Sequence, residues 1–140
     1  MALVGAIDQG TTSTRFLVVD EDGRVLEGEG AVNPTALVIH TAVHKARSDA
    51  QFVFHSHAPA ALTFCALACE LEFLQQDAGM LYGRVGYHDW EGLSLDDEES
   101  SRLALSLGSN RALIMRNHGF LTVGSTAGEA FVTMYYLVRA

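Results

Sequence analysis

Hydrophobic and polar positions in the first thirty residues alternate with the period of two that is typical of β-strands. Three short strands are predicted, at residues 3–8, 15–20 and 24–27. Asp22-Gly23 lies between the second and third strands and is a strong hairpin-turn signal. The sequence therefore predicts an N-terminal β-meander.

From residue 33 onward the apolar positions switch between helical and strand spacing. Asn33-Pro34-Thr35 can cap and begin a helix that runs to about Arg47, because Pro is favoured in the first helical turn. The later predicted elements are a strand within 51–57, a helix from Pro59, a strand at 84–87, a helix at 96–107 with an acidic first turn, strands at 112–115 and 120–123, and a helix from Thr126. This alternation indicates an α/β layered domain.

The composition narrows the possible function classes. The chain has 140 residues, which is the length of one ordinary domain, and a formal net charge of −8. The excess acid is concentrated in residues 20–29 and 96–99. Nucleic acid and anionic membrane surfaces are not expected partners, since binding phosphates requires an excess of Lys and Arg.

Cys65 and Cys69 are the only cysteines and fall in an apolar run, residues 61–71, that is predicted to be a buried helix. Two cysteines at this spacing could contribute to a metal site, but no neighbouring His or Cys completes the four ligands, so the core interpretation is favoured. A disulfide framework is not expected. With no secretory signal and no long apolar run, the sequence predicts a soluble cytoplasmic protein.

The histidines carry the strongest candidate chemistry. His55 and His57 are spaced i and i+2 at the end of a predicted strand, so both imidazoles can lie on one face. His118, in Asn117-His118-Gly119, follows another predicted strand. Three neutral imidazoles with an open fourth position are typical of a catalytic zinc site. The alternative is that these are hydrogen-bonded histidines at loop ends.

The other histidines allow a second interpretation. His40 and His44 are spaced i and i+4, which also suits a metal, but they fit packing or helix-end contacts better because Lys45 and Arg47 lie beside them. His88 is predicted to lie in a hydrogen-bonded turn. The nearby acids Glu70, Glu72, Asp89 and Glu91 are not fixed to the candidate site by their spacing.

Several motifs occur in one order over the larger part of the chain. They are Asn33-Pro34, the segment from Val38 to His44, Ala46-Arg47, His55-Ser56-His57, Tyr82-Gly83-Arg84-Val85, Tyr87-His88-Asp89, Arg116-Asn117-His118-Gly119, Glu129-Ala130-Phe131 and Tyr135-Tyr136-Leu137. On these motifs, residues 27–140 resemble the class II aldolase/adducin family, particularly its bacterial adducin-like branch. The resemblance implies a three-layer α/β/α domain with a divalent ion, Zn²⁺ first, on His55, His57 and His118. It also implies a small carbonyl or sugar-phosphate substrate and a homo-oligomer, usually a tetramer.

Two positions depart from the sugar-phosphate aldolases of that family. Ala36 stands where those enzymes carry a Glu that serves as metal ligand and base, and Gln75 or Gln76 stands where a Tyr donates a proton. Loss of both groups removes the usual means of proton transfer. We therefore expect metal binding with residual or no lyase activity, and we assign no catalytic residue.

The first 26 residues resemble the start of glycerol kinase, of the sugar-kinase family. The resemblance implies a weak nucleotide-phosphate remnant at Asp8, Thr11, Thr12 and Ser13. Since the rest of a kinase is missing, a structural hairpin is the favoured interpretation. The expectation is a chimera of a kinase-like segment, residues 1–26, and a partial aldolase/adducin-like domain, residues 27–140. An inactive structural chimera and a remnant of an ATP-dependent kinase are the alternatives to a metal-binding domain.

Overall fold

The computed structural model describes residues 4–9, 14–19, 24–27, 34–92 and 97–140. Its elements, in chain order, are β1 (Val4–Gln9), β2 (Thr14–Val19), β3 (Val25–Glu27), α1 (Pro34–Ala46), β4 (Phe52–Ser56), α2 (Pro59–Cys65), α3 (Gln76–Gly79), β5 (Val85–His88), α4 (Asp97–Leu107), β6 (Ala112–Met115), β7 (Gly119–Gly124) and α5 (Ala127–Arg139). The seven strands in these ranges form one sheet in the order β3-β2-β1-β4-β7-β6-β5.

The predicted N-terminal meander is present and forms one side of this sheet. β1 pairs antiparallel with β2, and β2 pairs antiparallel with β3. β1 also joins the remainder of the sheet, because Gln9 pairs in parallel with Ser56 of β4. The predicted turn at 22–23 lies outside the described residues.

The central strands are covered on both faces, as their burial pattern requires. All four residues of β6 are buried, and they divide with a period of two between two apolar clusters. Leu113 and Met115 pack in the cluster that includes residues of α1 and α4, whereas Ala112 and Ile114 pack with residues of α2 and α5. The predicted α/β fold with helices on both sides of the sheet is confirmed.

Local sequence signals predicted correctly where α1 and α5 begin. α1 begins at Pro34, as predicted. α5 follows Thr126, whose side-chain oxygen accepts a hydrogen bond from the Glu129 backbone N–H at 3.1 Å, the N-cap contact that its sequence favours. Among the described residues, no helix combines the length and the apolar character needed to cross a membrane.

The predicted buried helix over residues 61–71 is wrong in its length. α2 ends at Cys65, which is buried, whereas Cys69 is exposed and is not a core residue. The carbonyl of Cys65 accepts a hydrogen bond from the Asn117 N–H at 2.9 Å, and the carbonyls of Leu67 and Cys69 accept from the Arg116 guanidinium. Hydrogen bonds from a distant loop thus replace those that would continue the helix.

Candidate metal centre

The three predicted histidine ligands lie at one end of the sheet. β4 and β7 are antiparallel, with His55 opposite Leu121 and Ser56 opposite Phe120. The last residues of β4 therefore lie beside the first residues of β7. His118 occupies the turn between β6 and β7, where Met115 pairs with Gly119. This topology brings His57 and His118 to the same end of the sheet as His55.

The imidazoles of His55, His57 and His118 form one cluster. Their candidate ligand nitrogens all lie within 4.8 Å of one another. The Nε2 atoms of His55 and His57 are 2.8 Å apart, and the three pairs of ring centroids are separated by 4.6, 4.8 and 5.0 Å. Two ligands at 2.0–2.1 Å on a tetrahedral Zn²⁺ would be about 3.3 Å apart, so small side-chain shifts would accommodate the ion.

A backbone contact fixes the hydrogen-bonding role of His55. Its Nδ1 lies 3.0 Å from the carbonyl oxygen of Phe120. Because a carbonyl can only accept, we assign the proton to Nδ1, which leaves the Nε2 lone pair facing His57. Metal-binding histidines usually have this arrangement, in which the second ring nitrogen donates to a carbonyl. The donor set therefore fits a divalent cation.

Burial keeps the imidazoles of His55 and His118 in the neutral form that binds metals. Desolvation, followed by the charges of His118 and His57, lowers the pKa of His55 well below its usual value. Desolvation, followed by the charges of His57 and His88, lowers the pKa of His118 to about 4. Both side chains are thus uncharged at pH 7 in the absence of metal.

The turn that carries His118 is held by both backbone and side-chain contacts. Asn117 has a positive φ of 55°, a conformation that Asn tolerates better than most residues. The N–H of His118 donates to the Met115 carbonyl at 3.1 Å. Arg116 lies over the ring of Tyr87, with its guanidinium carbon 4.9 Å from the ring centroid. These contacts fix the position from which the His118 side chain extends.

The other predicted histidines lie outside this cluster. His40 and His44 are on α1, where His40 is buried and His44 Nδ1 donates to the Ala50 carbonyl at 2.9 Å. His40 Nδ1 and His44 Nε2 are buried and have no hydrogen-bond partner within the part of the chain that the structure describes. His88 is the last residue of β5 and is buried, so the prediction that it lies in a hydrogen-bonded turn was wrong, although its ring does hydrogen-bond, to Ser106.

The residues considered as a catalytic acid or base do not add an ionisable group to the histidine cluster. Among the residues that the structure describes, no Asp or Glu joins the three histidines. Glu91 pairs with Arg102, and the Gln75 side chain donates to the Arg139 carbonyl at 2.6 Å. Asp8 lies on β1, while Thr11, Thr12 and Ser13 fall outside the described residues.

Sequence reasoning missed the residues that hydrogen-bond to His55 and His88. The Phe120 carbonyl holds His55, and the Ser106 hydroxyl lies 3.0 Å from His88 Nδ1. A backbone carbonyl has no residue-type signature, and Ser106 is one of several serines in α4 and its surroundings. Only the alternation of backbone hydrogen-bonding groups along β7 could have indicated which of them face β4.

Comparison with known proteins gives the same fold and family. A protein of Caulobacter vibrioides, provisionally assigned to aldolase class 2, is 38% identical over 130 residues, which cover 92% of this chain and 51% of that protein. The crystal structure of an aldolase II superfamily protein from Pseudomonas syringae matches with a TM-score of 0.84 and 34% identity, over 90% of this chain and 52% of that chain. An L-fuculose 1-phosphate aldolase from Glaciozyma antarctica matches with a TM-score of 0.77 and 31% identity, over 89% of this chain and 49% of that chain. The chain spans about half the length of these relatives.

The family match also reaches into the N-terminal meander. The family model for the class II aldolase and adducin N-terminal domain matches residues 6–140, which include most of the segment predicted to resemble glycerol kinase. The comparisons give no support to a kinase-like origin of residues 1–26 or to a chimera, and the division at residue 27 remains a prediction. Since the family model covers nearly all of the sequence, the chain belongs to the class II aldolase and adducin family.

Proposed function

We propose that this domain binds one divalent cation, with Zn²⁺ the first candidate, through His55, His57 and His118. The observation that carries the proposal is the orientation of His55, whose Nδ1 is held by the Phe120 carbonyl while Nε2 faces His57 at 2.8 Å. At this distance a proton on His57 Nε2 hydrogen-bonds to the His55 Nε2 lone pair, and a cation bound by both nitrogens would replace that proton. The proposal extends to a cytoplasmic homo-oligomer, by family resemblance a tetramer.

The proposed ligand class is a small carbonyl compound or a sugar phosphate. A cation held by three histidines keeps one position open and supplies Lewis-acid polarisation of a carbonyl oxygen. The likeness to an L-fuculose 1-phosphate aldolase at 31% identity supports the sugar-phosphate class. Trp90, whose ring centroid lies 6.1 Å from that of His118, is the aromatic side chain that would offer an apolar surface to a bound ligand.

Aldol cleavage is proposed to be residual or absent. Proton transfer by a positioned side chain typically raises the reaction rate about 10²–10⁴-fold. Among the described residues, no carboxylate lies in the cluster to carry out this transfer. Ala36 has no ionisable group, and the Gln75 side chain is engaged with α5. The proposed function is therefore metal-dependent carbonyl binding, with a metal-free structural domain as the competing outcome.

Metal analysis of purified variants tests this proposal. After loading with Zn²⁺ and removal of free ion, the unchanged protein should retain about one ion per chain, and His55→Ala and His118→Ala should retain almost none. His44→Ala is the matched control, since His44 lies outside the cluster, and it should retain the ion. A wild-type protein that holds no ion after loading, or a His118→Ala variant that holds it equally well, would disprove the metal centre.

A further inference from the structure

A cavity lies at the end of the sheet opposite to the histidine cluster. It is lined by Arg84 and Arg111, which immediately precede the parallel strands β5 and β6, whereas His118 follows the end of β6. Each strand residue spans about 3.3 Å, so the four residues of β6 separate the cavity from the cluster by about 13 Å. The cavity has a volume of about 200 Å³, equal to that of about seven water molecules.

The pairing of β5 with β6 places two arginines side by side at this cavity. Val85 pairs with Ala112, and the N–H of Arg111 donates to the Arg84 carbonyl at 2.9 Å. The two backbones are therefore as close as neighbouring strands, about 4.8 Å apart. Both guanidinium groups are always charged, and like charges held next to each other repel. An anion bound between them would relieve this repulsion.

The guanidinium of Arg84 is not engaged by the protein. Most other arginines in residues 34–92 and 97–140 have firm partners: Arg47, Arg102 and Arg139 pair with carboxylates, and Arg116 donates to backbone carbonyls. Arg84 forms neither a hydrogen bond nor an ion pair through its side chain with any residue that the structure describes. Its side chain is exposed, so a ligand can reach it from solvent.

Glu129, which also lines the cavity, does not neutralise the two arginines. Its Oε2 lies 3.7 Å from Arg111 Nη1, which is longer than a hydrogen bond, and both side chains are exposed to solvent. The same oxygen accepts from the Ser125 N–H at 2.8 Å and from the Ser125 hydroxyl at 2.7 Å. Two guanidinium groups and one carboxylate leave one net positive charge at the cavity.

Much of the remaining wall is apolar. Met80, Leu81, Val132 and the ring of Tyr136 line it, with Leu81 buried and Met80 and Val132 about half exposed. The Thr133 hydroxyl donates its hydrogen to the Glu129 carbonyl at 2.8 Å, so it cannot donate to an anion. A cationic group beside apolar walls suits an anion that carries an apolar group, because a bare inorganic anion would leave those walls in contact with water.

We propose that this cavity binds a small monocarboxylate that carries an apolar group. The carboxylate lies on Arg84 and Arg111, and the apolar group packs against Met80 and Val132. A planar guanidinium matches the two oxygens of a carboxylate and binds them with charge-assisted hydrogen bonds. The volume is below the roughly 300–1,000 Å³ of sites for larger ligands, which limits the ligand to about the size of phenylacetate. This site is separate from the proposed metal centre and needs no bound cation.

A charged ligand and its neutral counterpart test the proposal. Phenylacetate and phenylacetamide have the same shape, and only the first is an anion. Both are titrated into the ¹⁵N-labelled, EDTA-treated chain, so that no cation at the histidine cluster can bind the carboxylate. Phenylacetate should bind about tenfold or more tightly, as expected for charge-assisted hydrogen bonds, and should shift the amide signals of Arg84, Arg111 and Val132. Equal affinity for the two compounds, or shifts confined to the histidine cluster, would overturn the site.

Acetate and inorganic phosphate test the part of the apolar wall. Both are anions without an apolar group, and both should bind more weakly than phenylacetate. If either binds as tightly, the cavity does not select an apolar carboxylate and the proposed ligand class is wrong.

Arg84→Gln tests the residue assignment. The side chain has no partner among the described residues, so the variant should fold normally and should bind phenylacetate about tenfold more weakly. Arg102→Gln is the matched control, since it removes the same charge from α4, where Arg102 pairs with Glu91 outside the cavity. Its affinity for phenylacetate should be unchanged. Unchanged affinity in Arg84→Gln, or equal losses in the two variants, would overturn the proposal.

Discussion

Gly119 lies so close to Ser56 that a Cβ at this position would be 2.6 Å from the Ser56 carbonyl oxygen. The same atom would be 2.9 Å from His57 Cδ2 and 3.4 Å from His55 Cε1. The contact with Ser56 involves backbone, which cannot rotate away as a side chain could. The absence of a side chain at Gly119 therefore lets β7 approach the residues that carry two of the candidate ligands.

Gly119→Ala should weaken both the candidate metal centre and the fold. Displacement of the residues around a metal typically lowers its affinity about ten- to hundredfold, and overpacking destabilises a domain by about 1–3 kcal/mol. Zn²⁺ affinity, measured by competition with a chelating dye, checks the first effect. Gly79→Ala is the control, because a Cβ there meets nothing within 4 Å. Equal affinity in the two variants would contradict this account of Gly119.

The two cysteines should differ sharply in their reactivity. Cys65 is 1% exposed, its thiol lies 3.2 Å from the Gly119 carbonyl, and burial raises its pKa to about 11. Since the thiolate is the reactive form, Cys65 should resist alkylation, whereas the exposed Cys69 should react. Mass spectrometry after brief iodoacetamide treatment at pH 8 should show one adduct on the folded protein. Cys69→Ser should show none until the protein is unfolded, and rapid labelling of that variant would disagree with the structure.

Acid should destabilise the domain in part through His40. Burial, followed by the nearby charge of His44, lowers the pKa of His40 from 6.5 to about 4. The unfolded chain therefore binds more protons than the folded one between these values, and the free energy of unfolding falls as the pH drops through this window. The share due to His40 is up to about 3 kcal/mol.

His40→Leu should flatten this pH dependence. Urea unfolding of the metal-free protein at several values from pH 7 to pH 4 measures the slope in wild type and variant. His55 and His118 titrate in both proteins, so the difference between the two curves reports His40. Parallel curves would mean that His40 is not buried in its neutral form.

Removal of residues 1–15 should lower the unfolding midpoint. β1 covers one edge of β4 through the pairing of Gln9 with Ser56, next to two candidate ligands. Its loss leaves that edge unpaired, and each 1 kcal/mol lost corresponds to roughly 2–4 °C in a domain of this size. Calorimetry should show a fall of several degrees. Removal of residues 1–3, which precede β1, is the control, and an equal midpoint in both truncated proteins would show that β1 contributes no stability.

Local signals explain why much of the fold could be predicted. Pro34 and the Thr126–Glu129 pair mark helix starts by their own backbone and hydrogen-bonding preferences. The spacing of His55 and His57 at the end of a strand was enough to identify them as candidate metal ligands. The end of α2 could not be predicted, because it depends on Arg116 and Asn117, some fifty residues later in the sequence. The roles of Phe120 and Ser106 likewise depend on which segments meet in space.

The separation of the candidate ligands along the chain also bears on the order of folding. His55 and the carbonyl that orients it are 65 residues apart, so this contact forms only when β4 and β7 have paired. Closing so long a loop is entropically unfavourable and is characteristic of slow steps, whereas α1 and α5 can form from neighbouring residues. If the proposed site binds a cation, binding would report completion of the sheet, and the signal of a metal-sensitive dye during refolding would follow that late step.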